Sequence, residues 1–397
     1  MSLNQTVSAE RIHIGFFGMR NAGKSSLVNA VTGQDVSVVS DVKGTTTDTV
    51  KKSMELLPLG PVVIIDTAGL DDEGELGELR VKKAKRALDF TDIAVIVIDA
   101  GIGISDADTE LMTELNRRKI PFITVLNKAD TLSQREILPQ NQIYASAKNG
   151  EGIDEIKNAL GAFAKNIKSQ RPLISDLIHE KDTVILVTPI DESAPKGRII
   201  LPQQMLIRDI LDSKAVSIVC QPGELSQVLA SLKEVPRLVV TDSQVFAQVS
   251  KIVPDNISLT SFSIIMARYK GDLKQLCQGF EAISNLSSGD KVLICEGCTH
   301  HRQCNDIGTV KIPNWVREYT KSEITFEFTS GNEFPSDLSE YKLIIHCGGC
   351  MLNEAEMQSR LIKAEEAGIP IVNYGVAIAG MKGILERSLA PFQIKIN

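Results

Sequence analysis

An α/β architecture in three consecutive domains, the first around a mostly parallel sheet and two smaller parallel α/β domains after it, is the fold class that the sequence predicts. Two observations carry it. Short runs of consecutive apolar residues, typical of strands covered on both faces, alternate with segments of helical periodicity along the chain. The first run enters a glycine-rich turn that opens a helix, the setting of a P-loop. The expected domains are 1–168, 173–265 and 266–397.

In the first domain the expected strands are Ile12 to Phe17, Val62 to Ile65, Ile93 to Ile98, Phe122 to Leu126 and Gln142 to Ala145, with helices at Glu78 to Leu88 and Asp108 to Arg118. Lys165 to Pro172 reads as a linker. The middle domain has strand patterns at Thr183 to Val187, Val216 to Cys220, Leu238 to Thr241 and Ile257 to Phe262. Its helical patterns are Pro202 to Leu211, Glu224 to Leu232 and Ser243 to Lys251. It carries no catalytic motif, and a small α/β unit of this kind can pair an edge strand with its own copy, so a homodimer is expected. One long helix, Met266 to about Leu286, leads into the last domain. There the strands are Lys291 to Cys295, Ile324 to Phe328, Lys342 to Ile345 and Pro370 to Asn373, with helices at Glu354 to Ala367 and Val376 to Ser388.

Bulk properties narrow the function classes. The 397 residues are 43% hydrophobic and 23% charged, as in ordinary globular domains. A net charge of −7 argues against a chain built mainly to bind nucleic acid. The polar first ten residues lack the apolar core of a secretory signal, and no apolar run approaches the ~20 residues of a membrane helix. A cytoplasmic protein without membrane association is expected, and its seven cysteines read as thiols or ligands rather than disulfides.

Gly18-Met19-Arg20-Asn21-Ala22-Gly23-Lys24-Ser25 is a full Walker A loop between a strand and a helix. Gly18, Asn21, Ala22, Gly23, Lys24, Ser25 and Ser26 are expected around the phosphates, with Lys24 on the β- and γ-phosphates and Ser25 on Mg²⁺. Asp66-Thr67-Ala68-Gly69 ends a strand; Asp66 suits a Mg²⁺ role, and the Gly69 N–H can sense a γ-phosphate. Thr45 and Thr46 lie in the polar loop between these motifs, where a threonine hydroxyl and carbonyl can complete Mg²⁺ coordination; Thr46 is assigned that role. Lys24, Thr46, Asp66 and Gly69 are the catalytic candidates. Asn127-Lys128-Ala129-Asp130 follows a further strand, and Ser146-Ala147-Lys148 follows the next. The Asp130 carboxylate can accept from guanine N1–H and N2–H₂ together, whereas adenine N1 would face it with a lone pair. These ordered motifs point to GTP/GDP and Mg²⁺ and to GTP hydrolysis.

On these motifs the first domain resembles the GTPases of the TrmE–Era–EngA group. Leu70 stands where Ras-type GTPases have their water-orienting glutamine, which predicts slow intrinsic hydrolysis. Asn21 matches the asparagine that ligates K⁺ in potassium-activated members, so the resemblance implies K⁺ stimulation. The acidic run Asp71 to Glu75 reads as a switch loop.

A second constellation reads C-x-H … H-C-x-x-C: Cys298 and His300, then His346, Cys347 and Cys350. Both groups follow expected strands of a parallel sheet, and ligands sit at the carboxyl ends of such strands. Spacing alone fits either a Cys₃His zinc site or a 4Fe–4S cluster on three cysteines. The fourth ligand is open among His300 and His346, with Glu296 and His301 as weaker options. Cys220 and Cys277 read as core residues; Cys295 and Cys304 are marginal candidates.

The whole chain resembles the FeFe-hydrogenase maturation GTPases, the HydF family, in all three domains and in this ligand pattern. That resemblance implies a 4Fe–4S cluster on Cys298, Cys347 and Cys350 with an exchangeable fourth iron position, and family histidines at His300 and His346. It implies a scaffold that carries a diiron precursor to apo FeFe-hydrogenase, alongside two radical-SAM maturases. An RNA- or ribosome-associated GTPase with a structural zinc domain is the alternative. An electron-transfer role fits less well, because a ferredoxin-like site normally has four cysteines.

Overall fold

The computed structural model describes residues 8–34, 50–69, 83–167, 171–190, 199–297 and 306–394. Its contacts divide the chain into two units, residues 1–170 and 171–397. Among the described residues no helix is long and apolar enough to cross a membrane.

The first unit holds strands β1 (Ile12–Phe17), β2 (Val50–Leu56), β3 (Gly60–Asp66), β4 (Ile93–Asp99), β5 (Phe122–Asn127) and β6 (Gln142–Tyr144). Their spatial order is β2-β3-β1-β4-β5-β6. Every pairing is parallel except β2 with β3. Helices α1 (Lys24–Thr32), α2 (Asp106–Arg117) and α3 (Ile153–Ile167) complete it. All six residues of β1 are buried, as a strand covered on both faces requires. Ile14, Phe16, Val62 and Ile64 pack with Leu27 and Val28 of α1 and Leu160 of α3. Phe17, Ile65 and Ile96 pack on the opposite face with Leu111 and Leu115 of α2. Burying each such side chain contributes about 1.5–3 kcal/mol. The edge strand β2 and the helix α3 lie outside the sequence expectation; of the expected helix at Glu78 to Leu88, residues 83–87 are helical, and the part before 83 lies outside the described residues.

The second unit contains two four-stranded parallel sheets. One comprises β7 (Thr183–Val187), β8 (Val216–Cys220), β9 (Leu238–Thr241) and β10 (Ser258–Ser261) in the order β10-β9-β7-β8. The other comprises β11 (Lys291–Glu296), β12 (Thr325–Ser330), β13 (Leu343–His346) and β14 (Ile371–Asn373) in the order β12-β11-β13-β14. The helices are α4 (Leu201–Asp212), α5 (Leu225–Ser231), α6 (Phe246–Ile252), α7 (Phe262–Lys270), α8 (Leu273–Ser284), α9 (Ile312–Thr320), α10 (Glu354–Glu366), α11 (Tyr374–Met381) and α12 (Leu385–Leu389). One apolar cluster includes Ile185 and Val239 of the first sheet and Leu293 and Ile344 of the second.

Two helix expectations are corrected. The single helix Met266 to Leu286 is two helices, α7 and α8, because Asp272 caps a new start by accepting from the Gln275 N–H at 3.0 Å. The expected helix Val376 to Ser388 is likewise split into α11 and α12, with Gly383 at φ +72° between them. The expected domain boundary at 265/266 falls inside α7.

Candidate functional site

In the first unit the predicted motifs meet at the carboxyl ends of β1, β3, β5 and β6. The turn after β1 demands glycine: Gly18 has φ +143°, and a Cβ there would lie 2.1 Å from the Val97 carbonyl oxygen. Lys24, buried at the start of α1, donates to the carbonyls of Gly18 (3.0 Å) and Met19 (2.8 Å). These bonds hold its ammonium at the loop, where phosphate oxygens can accept instead. The Ser25 hydroxyl donates to the carboxylate of buried Asp66 at 2.8 Å, so two of the three expected Mg²⁺ residues are adjacent. Thr67 Oγ1 donates to the Phe16 carbonyl (2.7 Å) and ties the end of β3 to β1.

Asn127 braces this site. Its Nδ2 donates to the Ala22 carbonyl at 2.9 Å, and its Oδ1 accepts from the Ala147 N–H at 3.1 Å. One side chain therefore links the P-loop to the segment after β6. Asp130 accepts from the Ser146 hydroxyl at 2.7 Å; that bond, with the Lys148 and Arg135 charges, holds its carboxyl below the usual range. A cleft of about 500 Å³ opens here between Gly23 and Ser26 on one side and Lys128, Asp130, Ala147 and Lys148 on the other. Lys128 is in the left-handed region (φ +62°), and its ammonium pairs with Asp99 at 2.7 Å. Sequence reasoning missed Asp99; its signal was the one charge ending the apolar run of β4. Asn21 has φ +61°, and Gly69 closes the described part of its motif. Thr45, Thr46, Leu70 and Asp71 to Glu75 lie outside the described residues.

In the second unit, strand register puts Cys295, His346 and Asn373 side by side at the carboxyl ends of β11, β13 and β14. The Cys347–Cys350 loop leaves β13 there and turns at Gly349, whose φ is +63°. Cys347 Sγ accepts from the N–H of Gly297 (3.0 Å) and of Gly349 (3.4 Å). Burial pushes the Cys347 thiol up, and those two bonds pull it back; burial pushes Cys350 up to about 11. Cys298, His300, His301 and Cys304 lie outside the described residues, and Gly297, the residue before Cys298, is already bonded to Cys347. Among the described residues no group of three His, Cys, Asp or Glu side chains could hold a metal ion.

His346 is fully buried, and both of its ring nitrogens are engaged. Nδ1 is 2.8 Å from the Cys347 carbonyl oxygen, and Nε2 is 2.9 Å from Nη1 of Arg360. A guanidinium only donates, so Nε2 accepts and the proton sits on Nδ1. Burial, then the Arg360 charge, lowers its pKa to about 3. Offering a lone pair to a metal requires breaking the Arg360 bond. Arg360 also donates to the Gly331 carbonyl (2.6 Å) and to Glu356 (2.9 Å). Sequence reasoning missed Arg360, since nothing in its spacing ties it to the cysteines. Glu296 and Tyr374 come together at Gly308, where a Cβ would lie 2.3 Å from the Glu296 carboxylate and 2.5 Å from the Tyr374 hydroxyl. That hydroxyl is buried and has no hydrogen-bond partner among the described residues. N–H donors on a cysteine sulfur and a buried hydroxyl awaiting an acceptor fit an anionic, thiolate-held group. Cys220, Cys277 and Cys295 are buried.

Comparison with known proteins adds three domain matches. Residues 173–271 match the hydrogen maturase F dimerization domain, residues 274–391 the hydrogen maturase F tetramerization domain, and residues 13–128 the 50S ribosome-binding GTPase domain. The tRNA modification GTPase MnmE of Nitrosomonas europaea is 37% identical over 156 residues, which is 38% of this chain and 34% of that protein. GTPase Der of Kosmotoga olearia is 31% identical over 217 residues, 49% of this chain and 48% of that one. The chain thus spans about a third to a half of these curated relatives. Among solved structures, Era of Aquifex aeolicus bound to GDP and aluminium fluoride is 20% identical with a TM-score of 0.35, covering 53% of this chain and 92% of that one.

Proposed function

The chain belongs to the hydrogen maturase F family and carries a GTPase domain, and from that premise we propose that it is a GTP-hydrolysing scaffold for iron–sulfur cargo. In this reading Cys298, Cys347 and Cys350 hold a 4Fe–4S cluster. The cargo is a diiron precursor, assembled on or delivered from the chain to apo FeFe-hydrogenase, with two radical-SAM maturases as upstream partners. The observation that carries the reading is the Cys347–Cys350 loop, whose first sulfur accepts two backbone N–H bonds, one from the residue preceding Cys298. A bound cluster supplies an iron position open to exchange, because three thiolates leave its coordination incomplete. A scaffold must release what it binds, so an incomplete ligand set suits it.

The chain's own residues divide the work. Lys24 and the P-loop bind phosphates; Ser25, Thr46 and Asp66 hold Mg²⁺; Gly69 reads the γ-phosphate; Asn21 holds K⁺; Asp130 selects guanine. Ser146, Ala147 and Lys148 complete the base pocket. Residues 1–168 are the nucleotide domain; the dimerisation domain, expected at 173–265, extends to the end of α7 at Lys270, and the cluster domain follows it. Val216 and Val219, both about half exposed on edge strand β8, support pairing of two copies.

Serine at Cys298, Cys347 or Cys350 abolishes iron binding in anaerobically reconstituted chain, and Cys220→Ser retains it. Full iron content in Cys347→Ser sinks the assignment. The alternative, an RNA- or ribosome-associated GTPase with a structural zinc domain, shares with this reading the match to a 50S ribosome-binding GTPase domain, which covers residues 13–128 only. Steep salt-dependent RNA binding by a zinc-loaded, colourless chain is its signature.

A further inference from the structure

One wall of the nucleotide cleft is held weakly by the sheet. Strand β6 is three residues long, lies at the sheet edge and pairs with β5 through Gln142 to Tyr144. The segment that follows, Ser146 to Lys148, must be fixed by bonds outside the sheet. Asn127 supplies one of them through the Ala147 N–H. A further set converges on Arg135, which belongs to none of the nucleotide motifs and lies in the connection between Thr131 and Gln142.

The Arg135 guanidinium takes the Glu151 carboxylate in its fork: Nη1 donates to Oε1, and Nη2 donates to Oε2 at 3.1 Å. Nη2 also donates to the Ala129 carbonyl at 3.0 Å. The Glu151 carbonyl accepts from the Ser146 N–H at 3.0 Å, and the Ser146 hydroxyl donates to Asp130 at 2.7 Å. Ala129 and Asp130 are chain neighbours, so these bonds close a ring that passes through Asp130, Ser146, Glu151, Arg135 and Ala129. The guanidinium also lies 5.5 Å from the Tyr144 ring centroid, within cation–π range. Both charged side chains are 38% exposed, so their charge pair by itself is screened and adds little stability. The ring supplies geometry instead. A planar fork with two parallel bonds, and a third bond to backbone, holds two loops at one separation.

We propose that Arg135 is the positioning residue of the base pocket: it sets the separation of the Asp130 and Ser146 loops, so that the Asp130 carboxylate meets guanine N1–H and the 2-amino group together. The inference rests on the reading of Asp130 as the base acceptor. Two hydrogen bonds to one carboxylate tolerate little displacement. Discrimination between guanine and hypoxanthine, which lacks the 2-amino group, is therefore the property that Arg135 governs. The phosphate and Mg²⁺ residues lie on other loops and keep their own bonds.

The test uses the full chain as parent, Arg135→Met, Arg135→Lys, Glu151→Gln and the double variant Arg135→Met/Glu151→Gln. Arg208→Met, which breaks an exposed pair with Asp212 in the second unit, is the control. Steady-state hydrolysis of GTP and of inosine triphosphate, and calorimetric binding of GDP, are the readouts. In Arg135→Met the preference for GTP over inosine triphosphate in kcat/KM falls at least roughly fivefold. Its KM for GTP and its Kd for GDP rise together, by about tenfold, with kcat within about twofold of the parent. Arg135→Lys keeps the charge without the fork and shows the same loss within about threefold. The double variant loses no more than Arg135→Met, because both substitutions open one ring. Arg208→Met matches the parent. A parent-like KM and base preference in folded Arg135→Met overturn the proposal, and so does a fall in kcat at unchanged KM. Should Arg135→Met not fold, Glu151→Gln carries the same expectations, and a parent-like result there overturns the proposal. Unchanged GTP preference in Asp130→Asn overturns the base-pocket reading itself, an outcome distinct from any effect at position 135.

Discussion

Asp130 is the residue we propose to select the base. Its carboxylate is exposed in the cleft, oriented by the Ser146 hydroxyl, and acceptor-only at neutral pH. Asp130→Asn presents one donor and one acceptor, so GTP turnover at subsaturating nucleotide falls by roughly tenfold or more while xanthosine triphosphate gains. Competition between the two nucleotides measures this, and unchanged GTP preference removes Asp130 from the base pocket. At this scale the motif letters were legible because phosphate, magnesium and guanine each demand particular donors at particular spacings. The geometry between motifs was not. Asn127 reads in sequence as a base-pocket residue, yet both ends of its amide brace neighbouring loops. His346 reads as a ligand, yet Arg360, fourteen residues on, occupies its Nε2. No spacing rule announces a long-range bond of that kind.

Parallel sheets place ligand sites at strand ends, and the candidate residues of both units lie there. Consecutive apolar runs made the buried strands legible, since each such run must be covered on both faces. Strand β2 escaped because Val-Lys-Lys-Ser-Met-Glu-Leu is a charged edge in which Lys52 interrupts the inward row that Met54 and Leu56 continue. The break between α7 and α8 escaped because apolar periodicity runs through it, while Asp272 ends one helix register and caps the next. Helix α8 also crosses β14 closely, and a Cβ at Gly279 would lie 2.0 Å from the Ile371 carbonyl oxygen. Alanine in a helix interior is worth about 1 kcal/mol over glycine. Overpacking against backbone costs about 1–3 kcal/mol, so the clash wins. Gly279→Ala therefore lowers the thermal midpoint of the second unit, whereas Gly223→Ala, with nothing within 4 Å, leaves it unchanged. Equal midpoints by calorimetry contradict the close crossing.

Two compact units in one chain make nucleotide chemistry separable from the proposed cluster holding. Lys24→Ala removes the ammonium expected on the β- and γ-phosphates, and hydrolysis falls by at least roughly a hundredfold. Iron content in that variant matches the parent, because the cysteine loop is built entirely from the second unit. Loss of iron in Lys24→Ala contradicts that division. The central claim is narrower still: the cysteine loop holds a 4Fe–4S cluster. Anaerobic purification, iron and zinc analysis, and EPR of the dithionite-reduced chain test it together. The account predicts about four irons per chain, negligible zinc and the signal of a reduced 4Fe–4S cluster that is lost in Cys347→Ser. One zinc per chain, no iron and no signal would contradict it.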